Sequence, residues 1–377
     1  MTDREACIIL NMLSGIGPAR MEALLAFCGE PAEIFRASAA DLASVQGISE
    51  AMAERIVNWE KHVDLGRELD LAERGGVHII TRSDEEYPSL LAEIHDAPIC
   101  LYIRGKLPET ISTRSLAVVG TRNVTTYGQR MARHLAEAAA YSGFTVVSGL
   151  AYGVDAIAHR AALDAGGESV SVLGGGLARI QPQEHVPLAR EIAGHGAVIS
   201  EFPMEFSPTR HSFPMRNRII SGLCRATLVV EAGLNSGSLI TASFALEQGR
   251  TVFAVPGQAD NPQAAGCNRL IRQNAILTET FDDILEEFDF LPGFGHGENL
   301  VREESAASDF FAGDDGSDGS ISSEAAKILD FLKQDEATVD EISAALDLPA
   351  SEITASLIGL ELLHRVQKSG LKYRRLR

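Results

Sequence analysis

The first 70 residues show apolar positions at helical spacing and few of the β-branched runs that are typical of strands. Apolar side chains recur at intervals of three or four, as in Met21, Leu24 and Leu25. Two Gly-containing segments, at 15–18 and 47–49, interrupt this periodicity. The pattern predicts a small all-α domain over residues 1–70.

From about 75 to 290, short β-branched runs alternate with Gly-containing turns and Ala-rich amphipathic stretches. The candidate strands are VHII (77–80), SLAVVG, FTVVSG, SVSVLGG (169–175), AVIS (197–200), ATLVVEA (226–232) and TVFAVPG (251–257). Helices are expected around 154–166 and 238–248. This βαβ alternation predicts an α/β domain over 75–290, an extended Rossmann-like doubly wound sheet with helices on both faces.

The last 90 residues divide into a linker and a further domain. Residues 291–320 lack periodicity and are rich in Gly, Ser and acids, a composition typical of a flexible acidic linker. Residues 321–377 predict helices at 324–333, from Thr338 to Leu346 and at 349–362. A hairpin with Gly370 at its turn follows. Three helices and a hairpin predict a C-terminal winged-helix domain.

Composition and cysteine usage predict a cytoplasmic protein. No apolar run approaches the ~20 residues that a membrane helix needs, and the N-terminal residues do not read as a secretion signal. The five cysteines are scattered and never spaced as C-x-x-C, which argues against disulfides and zinc. We therefore expect reduced cysteines, no metal, no cofactor and no membrane partner. These cysteines are Cys7, Cys28, Cys100, Cys224 and Cys267.

A net charge of −19 by itself argues against a nucleic-acid binder, but the charge is unevenly distributed. Residues 279–324 hold fourteen Asp and Glu against Arg302 alone, so −13 of the total is concentrated there. Residues 202–225 instead hold four arginines against Glu205. Since phosphate contacts depend on clustered cations, total charge does not exclude DNA.

The familiar motifs of nucleotide hydrolysis and hydride transfer are missing. The sequence contains no G-x-x-x-x-G-K-[ST], no H-E-x-x-H and no G-x-S-x-G, and no G-x-G-x-x-G follows the first good strand. Glu231 ends an apolar strand and could act as a catalytic base or hold a loop. Because no Cys, His or metal-ligand pattern completes a catalytic set, we favour the structural role and predict no enzyme activity and no catalytic residue.

Small and polar turns follow four of the predicted strands. They are Gly120-Thr121-Arg122-Asn123, Ser148-Gly149-Leu150-Ala151, Gly174-Gly175-Gly176 and Ser236-Gly237-Ser238. Each can present backbone N–H groups to an anion, and a doubly wound sheet gathers such turns at one edge. The alternative is that strand-end glycines serve only as turn residues. Together the turns predict a groove for a chain of phosphates, with Gly120, Thr121, Gly149, Gly175, Gly237 and Ser238 as candidate contacts.

The segment SPTRHSFPMRNRIISGL places cations beside an aromatic residue in a loop that enters a helix. Its candidate contacts are Arg210, Phe213, Arg216, Asn217 and Arg218. Arginines neutralise phosphates and a ring stacks an unpaired base, so the combination suits single-stranded DNA. Phe213 could equally be a core residue. Arg122, after its strand, could clamp a phosphate or form a surface salt bridge.

The terminal domains give weaker signals for DNA. SGIGPAR resembles the turn of a helix-hairpin-helix (SAM-like) element. The backbone of such a turn can contact phosphates, but such turns also serve only to connect helices. The presumed recognition helix of the winged helix, PASEITASLIGLELL, contains no Lys or Arg, whereas the hairpin after it is basic. We therefore predict protein contact or auxiliary nonspecific DNA contact for the winged helix.

Consecutive blocks of the sequence resemble the DprA/Smf (DNA-processing protein A) family. They are VVGTRNVTTYG, VVSGLAYGVDAIAHRAAL, VLGGGL, ISEFP, FPMRNRIISGL, VVEAGLNSGSLITASFALEQGRTVFAVPG and GCNRLI. The resemblance implies binding and protection of incoming single-stranded DNA during natural transformation, loading of RecA, and homodimerisation through the Rossmann-like domain. Single-strand-binding protein is a further expected partner. By motif, the phosphate-gripping arginine falls on Arg122, the second cation on Arg210 and the base-contacting aromatic on Phe213.

Two other functions remain open from the residues alone. Rossmann-like proteins with Gly-rich turns and a strand-end glutamate include nucleotide phosphoribohydrolases, which would depend on Glu231. A pure interaction scaffold would capture partners without binding DNA.

Overall fold

The computed structural model describes residues 1–288, 323–332, 337–346, 353, 357, 360, 366–369 and 372–375. The chain divides into two compact units, Met1–Gly295 and His296–Arg377. The predicted linker at 291–320 lies outside the described residues. None of the described helices combines the length and the apolar character that crossing a membrane requires.

The N-terminal segment is helical, as predicted. Its helices are α1 (Asp3–Met12), α2 (Pro18–Cys28), α3 (Pro31–Ile34), α4 (Ala39–Ala43), α5 (Glu50–Val57) and α6 (Leu65–Arg74). The Thr2 hydroxyl accepts the Glu5 N–H and the Glu5 carboxylate accepts the Thr2 N–H, which fixes the start of α1. Apolar residues of these helices share a hydrophobic core with Tyr102 and Val198 of the sheet. The helices therefore pack directly on the α/β layer, and the boundary near residue 70 stays a prediction.

Nine strands form one sheet in the order β1-β2-β6-β5-β4-β3-β7-β8-β9. The strands are β1 (Val77–Thr81), β2 (Cys100–Gly105), β3 (Ser115–Val119), β4 (Thr145–Ser148), β5 (Ser169–Val172), β6 (Gly196–Ser200), β7 (Ala226–Val229), β8 (Thr251–Ala254) and β9 (Ile276–Leu277). Strands β3 to β9 run parallel, and β3 pairs with β7 through Leu116↔Ala226 to Val119↔Val229.

One strand of the sheet, β2, runs against the other eight. β2 pairs antiparallel with both β1 and β6. The connection from β1 to β2 contains only the four-residue helix α7 (Ser89–Ala92), so no full crossover helix carries the chain back along the sheet. Sequence reasoning missed β2 and β9, because short apolar runs do not distinguish a strand from a buried helical turn.

Helices cover both faces of the sheet, which confirms the doubly wound arrangement. They are α8 (Thr126–Tyr141), α9 (Val154–Asp164), α10 (Val186–Gly194), α11 (Ser212–Gly222), α12 (Ser238–Glu247), α13 (Ala265–Arg272) and α14 (Asp282–Phe288). Because successive strand residues point to opposite faces, Leu116 and Val118 pack with α8, α9 and α14. Ala117 and Val119 pack with α7, α11, α12 and α13.

The second unit has the elements of a winged helix, as predicted. Its described elements are α15 (Ser323–Phe331), β10 (Ala337–Thr338), α16 (Val339–Leu346), β11 (Val366–Ser369) and β12 (Lys372–Arg375). The strands form a sheet in the order β10-β12-β11, and the Thr338 hydroxyl accepts the Glu341 N–H at 3.3 Å to cap α16. The predicted third helix and the turn at Gly370 lie outside the described residues, apart from the buried Ile353, Leu357 and Leu360.

Candidate nucleic-acid interface

A groove of about 730 Å³ opens at the carboxyl ends of β3 and β7. Strand order places β3 between β4 and β7, so the chain leaves β3 towards β4 and leaves β7 towards β8. Loops that leave neighbouring strands in opposite directions open a crevice at the edge of a doubly wound sheet. The predicted site residues that line this groove are Gly120, Thr121, Arg122, Arg210, Phe213, Arg216, Asn217, Gly237 and Ser238.

Glu231 fixes the loop that carries Arg122. Its backbone carbonyl accepts the Thr121 N–H at 2.7 Å. Its buried carboxylate accepts the Thr125 N–H at 2.8 Å and the Thr125 hydroxyl at 2.7 Å. A Cβ at Gly120 would lie 2.5 Å from a Val154 methyl, so only glycine fits before this loop. With both carboxylate oxygens accepting hydrogen bonds, Glu231 has the loop-holding geometry that we favoured over a catalytic base.

Phe213 lies in the first turn of α11 and is half-buried. A Cβ added at Gly174 would lie 2.8 Å from the edge of the ring. Gly174 therefore packs closely against the ring because it has no side chain. The guanidinium carbon of Arg122 lies 5.8 Å from the ring centre. Strand-end loops and α11 thereby bring together the cation and the aromatic ring that the sequence placed ninety residues apart.

Arg216 is a buried cation beneath the groove. Its Nη1 donates to the carbonyl of Gly149 at 2.7 Å and to the carbonyl of Val172. Burial lowers the pKa of Arg216 to about 10, and the nearby Asp155 carboxylate opposes this shift. Burial likewise raises the pKa of Asp155. Because a pKa of about 10 lies above neutral pH, Arg216 stays charged and adds positive potential to the groove floor.

The N-terminus of α12 forms the opposite wall. Gly237 occupies the cap position and makes no side-chain cap hydrogen bond. The Asn217 amide donates to the Gly237 carbonyl at 3.3 Å, which ties α11 to the start of α12. The first three N–H groups of α12 already donate to Ser236 and Gly237. This wall therefore offers an anion the positive end of the helix dipole and not free N–H donors.

The structure places three predicted contacts outside the groove. The Gly149 N–H donates to Asp155 Oδ2 at 3.2 Å, so this turn is satisfied internally. Gly175 is covered by Pro208, whose Cδ would lie 2.9 Å from a Cβ there. Arg218 donates to both Glu201 carboxylate oxygens at 2.8 and 2.7 Å and pairs with Asp96 at 2.7 Å. Residues two apart on a helix do not share a face, so Arg218 points away from Arg216.

Sequence reasoning missed several lining residues. Asp155, Leu234, Asn235 and Gln263 line the groove without belonging to a recognised binding motif. Gln263 accepts a hydrogen bond from the Thr121 hydroxyl at 3.4 Å across the groove edge. Gln263 lies in the loop after β8, beside the point where strand order reverses. That position was the one feature of the sequence that could have indicated its place in the groove. Among the described residues, no cluster of His, Cys, Asp and Glu is arranged to hold a metal.

The fold and groove define a doubly wound α/β protein with an arginine-lined cleft where its strand order reverses. Residues 78–289, more than half of the chain, match the family described as DNA recombination-mediator protein A. The chain therefore belongs to this family. Residues 8–58 match a SAM-like helix-hairpin-helix tandem and residues 314–370 match the DprA winged-helix domain.

Similar proteins of known sequence agree with this membership. The chain is 38% identical to protein Smf of Escherichia coli over 84% of this chain and 82% of that protein. It is 32% identical to protein Smf of Synechocystis over 97% of both chains. It is 43% identical to DNA processing protein DprA of Bacillus subtilis over 59% of this chain and 75% of the relative.

Two solved structures share the fold. DNA processing protein A from Streptococcus pneumoniae superposes with a TM-score of 0.67 and 32% identity, covering 77% of this chain and 99% of that chain. DNA processing protein A from Helicobacter pylori, described as having a unique single-stranded DNA binding mode, gives a TM-score of 0.50 and 27% identity. That match covers 61% of this chain and 98% of that one.

Proposed function

We propose that the groove binds single-stranded DNA and that the protein holds a strand, excludes other binders and presents the strand to RecA. The observation that carries the proposal is the Arg122 guanidinium 5.8 Å from the centre of the Phe213 ring at the groove. The cation neutralises a phosphate, and the partly exposed ring beside it stacks a base of any identity. A duplex offers no free base face, so the ring favours single strands.

The charges around the groove support the same proposal. Among the described residues, neither Arg122 nor Arg210 lies within 4.0 Å of a carboxylate. Their guanidinium groups are therefore available to phosphates. A surface salt bridge, the alternative considered for Arg122, would have occupied its guanidinium group. The N-terminus of α12 adds the positive end of a helix dipole on the facing wall.

Family membership supports the finer parts of the proposal. Members are described as DNA recombination mediators, and the Helicobacter pylori relative is described by its single-stranded DNA binding. We place this protein in the cytoplasm as a homodimer that protects incoming DNA during natural transformation. It passes that DNA from single-strand-binding protein to RecA, and it does so without enzymatic turnover.

Fluorescence anisotropy of a labelled single strand and a matched duplex across a salt series tests the proposal. The wild type should prefer the single strand, with an affinity that falls as salt rises. Phe213→Ala should weaken single-strand binding by roughly 1 to 3 kcal/mol, the range for one stacked base. Phe213→Trp, which keeps a stacking surface, is the matched control and should bind.

Absence of single-strand binding at low salt would contradict the proposal. Release of free base from a nucleotide, lost in Glu231→Gln, would then favour the phosphoribohydrolase. Capture of partners without DNA would favour the scaffold.

A further inference from the structure

The exposed face of α8 is basic and aromatic. Its buried side consists of small and aliphatic residues, including Ala132, Leu135 and Ala136, which pack on the sheet. Its exposed side carries Thr126, Tyr127, Gln129, Arg130, Arg133 and His134. The only acid in the helix, Glu137, is half-buried. A protein with a net charge of −19 therefore keeps one helix face free of exposed carboxylates.

Arg130 and Arg133 lie three positions apart, where side chains on a helix surface are neighbours. Like charges at this spacing destabilise a helix slightly. Within the described part of the chain, no carboxylate lies within 4.0 Å of either arginine. By contrast, Arg160 on the adjacent α9 pairs with Glu191 at 2.6 Å. Among the described residues, the two exposed α8 arginines thus have no carboxylate partner, and their guanidinium groups are available to an anion from outside the protein.

The arginine and ring arrangement of the groove recurs on this helix. The Arg130 guanidinium carbon lies 5.7 Å from the centre of the Tyr127 ring, almost the separation of 5.8 Å between Arg122 and Phe213. Tyr127 donates its hydroxyl hydrogen to the Pro256 carbonyl at 2.9 Å, which holds the ring at the carboxyl end of β8. The tyrosine remains 37% exposed, so part of its ring surface is open to a base.

The two arrangements are continuous along the chain. Only three residues separate Arg122 from the start of α8, and the Glu231 carboxylate fixes the last of them, Thr125. A strand that leaves the groove over Arg122 meets Tyr127 in the first turn of α8. From Tyr127 to Arg133 the helix rises about 9 Å, which gives room for further phosphates.

We infer that Tyr127, Arg130 and Arg133, the α8 stripe, form a second contact for the same DNA strand outside the groove. The inference rests on the proposed function of the groove. It states that the strand crosses the sheet edge at Arg122 and continues along α8, with phosphates on the two arginines and a base against the tyrosine ring. The α8 stripe then contributes only when the oligonucleotide is long enough to reach it.

The length of the oligonucleotide separates the two contacts. We would measure binding of single strands of about 6 and about 30 nucleotides, lengths that bracket common single-strand site sizes. Arg130→Gln with Arg133→Gln should weaken binding of the long strand about fivefold to tenfold and leave the short strand unchanged. The slope of log affinity against log salt for the long strand should fall by about 1.4, since each phosphate contact to a single strand contributes about 0.7.

A charge-matched variant controls for the change in net charge. Arg36→Gln with Arg74→Gln removes two exposed arginines from the N-terminal helices, where each pairs with an acidic neighbour. This variant should bind both oligonucleotides as the wild type does. Thermal unfolding of the α8 variant should match the wild type, because the altered side chains are exposed.

Tyr127 has its own pair of variants. Tyr127→Leu should weaken the long strand at least threefold through loss of a stacking surface. Tyr127→Phe keeps the ring and should retain binding.

The outcomes distinguish the two proposals. If the wild type binds neither oligonucleotide, the proposed function fails and the α8 stripe fails with it. If the wild type binds both and the α8 variant binds both equally well, the groove stands and the α8 stripe is overturned. Equal weakening of short and long strands, or weakening of duplex alone, would also overturn it.

Discussion

Arginines beside glycine-containing turns occur in two regions of the first unit, and their surroundings differ. In the N-terminal helices, Arg20 donates to the carbonyls of Gly15 at 2.6 Å and Gly47 at 2.9 Å. Arg55 donates to the Ser14 carbonyl at 2.7 Å. These hydrogen bonds tie the paired hairpins to each other and engage two N–H groups of Arg20 and one of Arg55.

In the groove, the corresponding donors are open. Among the described residues, neither Arg122 nor Arg210 pairs with a carboxylate, and Arg122 instead lies against the Phe213 ring. From this difference we expect that an arginine near a glycine turn binds phosphate where no carbonyl or carboxylate already accepts its N–H groups. Charge and motif alone do not reveal this.

The largest expected effect is on stability and concerns Arg218. This arginine is buried and paired with carboxylates, unlike the arginines of the hairpins and of the groove. Its side chain is only 4% exposed and pairs with Glu201 and Asp96. Arg218→Met should lower the free energy of unfolding by about 3 kcal/mol, because it leaves Glu201 buried without its cation. Urea unfolding measures the effect.

A double replacement serves as the control for Arg218. Arg218→Met with Glu201→Leu should recover much of the loss, since removing both charges leaves neither unpaired. If Arg218→Met kept full stability but lost DNA binding, Arg218 would be a DNA contact and not a positioning residue for α11.

The next effect concerns the groove arginines. Arg122→Ala with Arg210→Ala should lower single-strand affinity at least about 100-fold, or roughly 3 kcal/mol, since each charged hydrogen bond contributes about 1.5 to 3 kcal/mol. The salt slope should fall by about 1.4. Anisotropy titrations at several salt concentrations measure both quantities. Retained binding would show that the strand lies elsewhere.

The arginines also show how far sequence could predict the site. The motif segment identified Arg216 and Arg218 together, but their spacing could not say which of them faces the groove. The pairing of Arg218 with Asp96 and Glu201 decides that question. Asp96 lies more than a hundred positions before Arg218 along the chain, and Glu201 lies about seventeen positions before it. The parallel topology was predictable from strands and turns, so Arg122 could be expected at the sheet edge. Only the structure places the centre of the Phe213 ring 5.8 Å from the Arg122 guanidinium carbon.

The fold was predictable where strands are short β-branched runs that end in a turn, as at β3 and β7. It was not predictable at β2, whose direction depends on a connection with almost no helix. Gly149 and Gly175 looked like the other strand-end glycines. What separates them is packing, because Arg216 and Pro208 occupy the space beside them.

A smaller effect is expected from the hairpin arginines. Arg20→Gln with Arg55→Gln should leave single-strand affinity within about twofold, because both guanidinium groups are held against backbone carbonyls of the hairpins. The free energy of unfolding should fall by about 2 kcal/mol, since three hydrogen bonds are lost and each contributes about 0.5 to 1.5 kcal/mol. Anisotropy and urea unfolding on the same samples give both values. A tenfold loss of affinity with unchanged stability would place DNA on the hairpins.

Removing the winged helix is expected to have little effect on single-strand affinity. Its presumed recognition segment contains no Lys or Arg, and the first unit is compact without it. Deletion of residues 320–377 should therefore change single-strand affinity less than tenfold, below about 1.4 kcal/mol, with an unchanged salt slope. The deletion also removes the basic hairpin that includes the exposed Lys372, which could itself contact phosphates. A larger loss with a shallower slope would mean that the hairpin, and not the groove alone, neutralises the strand.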